Sequence, residues 1–164
     1  MKKIFYLLIL SAMLIASCQP ESKPVDTTAT EKAVNSLMDT YLKFWNARDV
    51  QSLTALLTDN GLFCGTDPSE FMDKKLLSEG WAEIWADTTA SHSYTVDKRV
   101  IRVASDGNSA LVVEQFGMTQ FTGKLQIRLV AQAVKSGDSW LIDFISWSFI
   151  PKNEDLGKLF KALE

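Results

Sequence analysis

The apolar positions of this chain change period once. Up to about residue 85 they recur every three or four residues, and beyond His92 they alternate. Val34, Leu37, Met38, Tyr41, Leu42 and Trp45 fall on one face of a helix, and Thr28-Ala29-Thr30-Glu31 ahead of them fits a capping box. Asn46-Ala47-Arg48 interrupts the pattern. Asp49 can then cap a second, shorter helix that turns Val50, Leu53, Leu56 and Leu57 inward. Asp59-Asn60-Gly61 reads as a turn and Leu62-Phe63-Cys64 as a brief strand. Gly65 to Glu70 is polar; within it Asp67 or Ser69 can cap a third helix with Phe71, Leu77, Trp81, Ile84 and Trp85 on one face. Gly80 inside that helix costs about 1 kcal/mol relative to Ala, which suggests a close approach.

Four β-rich runs follow, at about 92–104, 110–120, 125–135 and 140–150. The turns between them hold Ser105-Asp106-Gly107-Asn108, Gly123-Lys124 and Ser136-Gly137-Asp138-Ser139. Short turns between long runs predict hairpins and a mostly antiparallel sheet. Pro151 ends the last strand, and Leu156, Leu159, Phe160 and Leu163 suit a short terminal helix. Helices first and a meander afterwards is an α+β plan.

Loop lengths also predict which residues share a face. A four-residue turn at Ser136–Ser139 pairs Lys135 with Trp140, which sets Ile127, Leu129, Ala131 and Ala133 beside Ile142, Phe144, Ser146 and Ser148. A two-residue turn at Gly123-Lys124 adds Glu114, Phe116, Met118 and Gln120. This set holds one charge and is expected to face the enclosed side, with Tyr41, Trp45, Trp81 and Trp85 approaching from the helices. Arg128, Val130, Gln132, Leu141, Asp143, Ile145 and Trp147 are expected on the opposite face, whose apolar content suggests a homodimer centred on Arg128, Ile145 and Trp147. An odd-length loop would exchange the two faces, because the side-chain period is two.

The segment before the first helix belongs to no core. Lys2 and Lys3 precede an apolar run from Ile4 to Ala16. It is too short for a bilayer-spanning helix, which needs about 20 residues, and suits a signal peptide. The run closes on Leu14-Ile15-Ala16-Ser17-Cys18, which resembles the lipobox of bacterial lipoprotein precursors. That resemblance implies cleavage after residue 17, acylation of Cys18 and attachment to the cell envelope; Gln19 after the Cys points to the outer membrane. Residues 18–29, with Pro20 and Pro24, read as a tether, and 30–164 as one domain. Cys64 is then the only thiol and reads as a buried small hydrophobe.

The chain has 164 residues, 46% hydrophobic and 23% charged, with Lys+Arg 17 against Asp+Glu 20. The acidic balance argues against nucleic acid as a partner. One His and two Cys argue against a nitrogen–sulfur metal site, and no cofactor is expected. His92, Lys74-Lys75 and Asp97-Lys98-Arg99 read as solvated surface.

Phe63-Cys64-Gly65-Thr66-Asp67-Pro68-Ser69-Glu70 leading into a helix with Trp81 and Trp85, together with Trp140-Leu141-Ile142 opening a last strand that ends in Ser148, resembles the SnoaL-like (polyketide-cyclase-like) domains of the nuclear-transport-factor-2-like superfamily. The resemblance spans about residues 30–150. It implies a cone: a strongly curved, mostly antiparallel sheet wrapped over three N-terminal helices around a pocket, the cystatin-like α+β barrel. The superfamily contains isomerases, cyclases, dehydratases and binding proteins. Related sequences often carry His on the inward face of the last strand; here Phe144 and Ser146 stand there.

Two functions remain open at this level. The first is a non-catalytic pocket for a small apolar or aromatic molecule, lined by Tyr41, Trp45, Trp81, Trp85, Phe116, Met118, Leu129, Phe144 and Ser146. The second is an isomerase, cyclase or dehydratase in which Glu114 is the general base and Tyr41 or Tyr94 donates a hydrogen bond to a developing oxyanion. The missing imidazole favours the first.

Overall fold

A computed structural model describes residues 26–164. Helix α1 (Thr28–Ala47) is longer than the apolar stripe alone requires, and it buries Val34, Leu37, Met38, Tyr41 and Trp45 as expected. The capping box does not form. Thr27 is the N-cap without a side-chain bond, and Thr28 N instead donates to Asp26 Oδ1 at 3.0 Å. At the other end Arg48 takes a left-handed conformation (φ 56°), its backbone N–H bonding back into the last turn. Asp49 caps α2 (Val50–Ala55) by accepting from Ser52 N at 3.0 Å.

The strand β1 (Leu57–Cys64) absorbs Asp59-Asn60-Gly61, expected as a turn. Gly61 fits there because a Cβ would strike the Asp143 carbonyl oxygen and the Phe63 ring. Phe71 and Met72 form a short edge strand, β2, not the start of a helix. Helix α3 (Lys74–Ala86) begins later, capped by Asp73 accepting from Leu76 N at 2.8 Å. It buries Leu77, Trp81 and Trp85, whereas Phe71 and Ile84, expected on that face, are 69% and 46% exposed.

β3 (Val96–Val103), β4 (Ser109–Gly117), β5 (Gln126–Ser136) and β6 (Ser139–Ile150) form the predicted antiparallel meander. A one-turn helix, α4 (Thr119–Thr122), replaces the expected tight turn at Gly123-Lys124. The six strands lie in the order β2-β1-β6-β5-β4-β3, with β1 parallel to β6. The sheet is curved and unclosed. The core lies between its concave face and α1–α3, so the fold is the expected α+β cone.

The face assignment holds on β4 and β5, where Glu114 pairs with Leu129 and Phe116 with Ile127. It fails on β6. Lys135 does pair with Trp140 and Ala133 with Ile142, but Gln132 then pairs with Phe144, leaving Asp143 as an extra residue. This β-bulge exchanges the faces of everything beyond it. Ile145 (0% exposed) and Trp147 (8%) point into the core, opposite Ala131 and Leu129. Phe144, Ser146 and Ser148 take the outer side. The bulged Asp143 is held by Thr58, whose Oγ1 donates to its Oδ1 at 2.7 Å. Ile145 and Trp147 therefore cannot centre an outer-face interface.

The terminal helix α5 (Leu156–Ala162) exists but buries no residue.

Candidate functional site

Between α3, the end of α1 and the Met118–Ile127 end of the sheet is a cavity of about 180 Å³. Trp45, Leu77, Trp81, Met118, Ile127 and Trp147 supply its apolar wall, and Gly65, Thr66, Glu70, Met72, Gly80, Ile84 and His92 complete it. Thr66 and Ile84 are exposed and mark its mouth. The indole walls are tightly packed against one another. Trp45 meets Trp81 with centroids 6.0 Å apart at 86° and Trp85 at 5.2 Å and 80°. Trp81 and Trp85 stack at 6.3 Å and 22°. These are the offset and edge-to-face geometries that aromatic quadrupoles favour.

Trp45 Nε1 donates to the His92 carbonyl at 2.8 Å, tying α1 to the segment that closes the cavity. Arg48 reinforces this by donating to the Ala90 carbonyl at 2.7 Å. His92, expected in solvent, is 8% exposed and lines the cavity. Burial pushes its imidazole below the ordinary value, and the Arg48 charge adds to that. The sequence signal was available in Ser91-His92-Ser93, but its polar neighbours disguised it.

A second buried cluster sits beside the cavity without lining it. Glu114 is 1% exposed, and its Oε1 accepts from Arg99 Nε at 2.6 Å. Arg99 also donates to Asp39 Oδ1 at 2.6 Å, Asn35 Oδ1 at 2.9 Å and the Asn35 carbonyl at 3.2 Å, clamping β3 and β4 onto α1. Arg99, read as solvated surface, is thus a half-buried hub: the odd position that follows Lys98 turns inward. Burial raises the Glu114 carboxyl above its usual value, with Arg99 opposing. Burial also raises the Tyr41 and Tyr94 hydroxyls well above theirs, and each feels the Glu114 charge. Tyr41 Oη, Tyr94 Oη and Glu114 Oε2 are buried with no hydrogen-bonding partner among the described residues. Tyr94 stacks on Phe116 at 3.8 Å and 17°.

The expected site residues thus divide. Trp45, Trp81 and Met118 line the cavity. Tyr41, Trp85, Phe116, Leu129 and Glu114 are core residues behind its wall, while Phe144 and Ser146 lie on the outer side of the bulge. Trp147 and Ile127, not named for the pocket, line it. Cys18 lies outside the described residues. Among those described, no group of three or more His, Cys, Asp or Glu side chains is placed to hold a metal ion, and no helix is long and apolar enough to cross a membrane.

The family model described as a SnoaL-like domain matches residues 34–151, from within α1 to the end of β6. The chain belongs to the SnoaL-like family. Solved structures similar to this SnoaL-like domain support the fold. A domain of unknown function with a cystatin-like fold from Nostoc punctiforme PCC 73102 superposes with TM-score 0.66 at 16% identity, covering 82% of this chain and 85% of that one. An NTF2-like protein of unknown function from Pseudomonas putida KT2440 gives 0.65 at 17%, covering 77% and 91%. A putative calcium/calmodulin dependent protein kinase II association domain from Xanthomonas campestris gives 0.60 at 21%, covering 73% and 86%. No curated protein matches the chain.

Proposed function

We propose that this SnoaL-like domain is a binding module that holds a small apolar or aromatic molecule in the tryptophan-lined cavity, and that Cys18 anchors it to the outer membrane of a bacterial cell envelope. The observation that carries the reading is the cavity itself: about 180 Å³ behind an exposed mouth, walled by three indoles. An apolar cavity of about 150 Å³ is enough for a benzene-sized guest, so a single ring or a compact branched chain fits without repacking. The lipid anchor rests on the lipobox-like sequence around Cys18.

The alternative, proton transfer by Glu114, has in its favour a raised carboxyl beside the unpartnered Tyr41 hydroxyl. Against it, Arg99 already occupies the carboxylate, and neither Glu114 nor Tyr41 reaches the cavity.

Self-association through the outer face of the sheet keeps Arg128, which is exposed there opposite Ser148, and needs other residues in place of Ile145 and Trp147. Val100 and Leu111 are 41% and 45% exposed there, and Val130 and Phe144 extend the apolar area. Native mass spectrometry of gently purified protein tests the main reading. A co-purified small molecule, displaced by a monocyclic aromatic, supports it; a protein that takes up no apolar or aromatic probe overturns it.

A further inference from the structure

Resting on the ligand-binding reading, we infer that the cavity is built for a small organic cation: an ammonium or similar onium group sheathed in methyl or methylene carbons. Three features converge on this class. The first is the wall. Trp45 and Trp81 stand at 86° with centroids 6.0 Å apart, forming a corner, and Trp147 lines the cavity from β6. Indole faces carry the negative part of the aromatic quadrupole, and among side chains they attract cations best.

The second feature is charge. Among the described residues, Glu70 is the only Asp, Glu, Lys or Arg that lines the cavity. Its carboxylate is positioned by the surrounding loop. Asp67 N donates to Glu70 Oε2 at 2.9 Å, and Gly65 N donates to the Glu70 carbonyl at 3.1 Å. Any Cβ at Gly65 would collide with that carboxylate, so the glycine makes its seat possible. Burial holds the His92 imidazole below its ordinary value, which disfavours a competing positive charge there.

The third feature is size. About 180 Å³ accepts a trimethylammonium head with a short tail. A neutral guest of that shape would use the apolar wall and gain nothing from Glu70. A cation with an apolar surface uses both.

Choline and 3,3-dimethylbutan-1-ol separate these contributions, since they share a shape and differ in charge. Binding of each to the full chain in nonionic detergent is followed by tryptophan fluorescence at constant ionic strength. Choline is expected to bind about thirtyfold more tightly than the alcohol. Glu70→Gln, which keeps an oxygen to accept from Asp67 N, should weaken choline severalfold and leave the alcohol unchanged. Equal or tighter binding of the alcohol overturns the cation inference and leaves the apolar pocket standing. So does binding of phenol alone. If choline, the alcohol and phenol all fail to bind, the inference and the ligand-binding reading fall together.

Discussion

Removing the positive partner of Glu114 should be far more damaging than removing an ordinary surface charge. Glu114 is 1% exposed, and the Arg99 side chain is 13% exposed, so water cannot replace the lost guanidinium. In Arg99→Met the carboxylate keeps its burial and loses the one charge that lowers its pKa. Breaking a buried pair on one side costs about 3–5 kcal/mol. At about 2–4 °C per kcal/mol for a domain of this size, that is a fall in Tm on the order of 10 °C. The Asp39 contact adds little, since Asp39 is 61% exposed.

The sign of the pH dependence follows from the same geometry. A Glu114 carboxyl raised further in the variant binds a proton in the folded state at pH values where the unfolded chain has released it. Stability of Arg99→Met should therefore fall as pH rises from the unfolded Glu value through the raised folded one. Adding Glu114→Gln should recover part of the loss and remove that slope. Thermal unfolding of wild type, both single variants and the double variant between pH 4 and 8 closes the cycle. A cost below about 1 kcal/mol for Arg99→Met, flat with pH, would refute the buried pair.

Other expectations are shorter. Trp147→Glu should unfold the domain by burying an unpaired charge, whereas Phe144→Glu should be tolerated as a monomer or shift the dimer equilibrium; light scattering and circular dichroism read both. His92 has a lowered pKa in the fold, so the unfolded chain binds the extra proton. Stability should therefore drop as pH falls below the unfolded His value, and replacing His92 with Gln should flatten that drop in thermal melts. Cys18→Ala should release the protein from membranes and abolish acyl labelling; a variant that stays membrane-bound would sink the lipid anchor.

The helix stripes were legible because Val34 to Trp45 and Leu77 to Trp85 follow one period without interruption. The α+β order and the hairpin ladder were legible for the same reason. What a periodic reading could not reach was the extra residue at Asp143. Nothing in Trp140-Leu141-Ile142-Asp143-Phe144-Ile145 announces a bulge, because both alternating sets are rich in apolar residues. The decision comes from β1, where Thr58 takes the Asp143 carboxylate and Gly61 admits its carbonyl. That single slip moved Trp147 into the cavity and Phe144 out of it. Arg99 was misread for a related reason. Charge runs are usually solvated, and its buried partner Glu114 lies on another strand.

The cavity can be filled without harming the fold, and that makes the most direct test. Gly80 lines it, sits inside α3, and a Cβ there would meet nothing within 4 Å. Gly80→Leu should gain about 0.5–1 kcal/mol of helix stability while its side chain occupies the cavity. The five indole N–H resonances report the outcome during titration with phenol. In wild type, Trp45, Trp81 and Trp147 should shift together while Trp140 stays still; in Gly80→Leu, folded and at least as stable, the shifts should vanish. Undiminished binding by Gly80→Leu, or shifts confined to residues away from the cavity, would contradict a ligand site there.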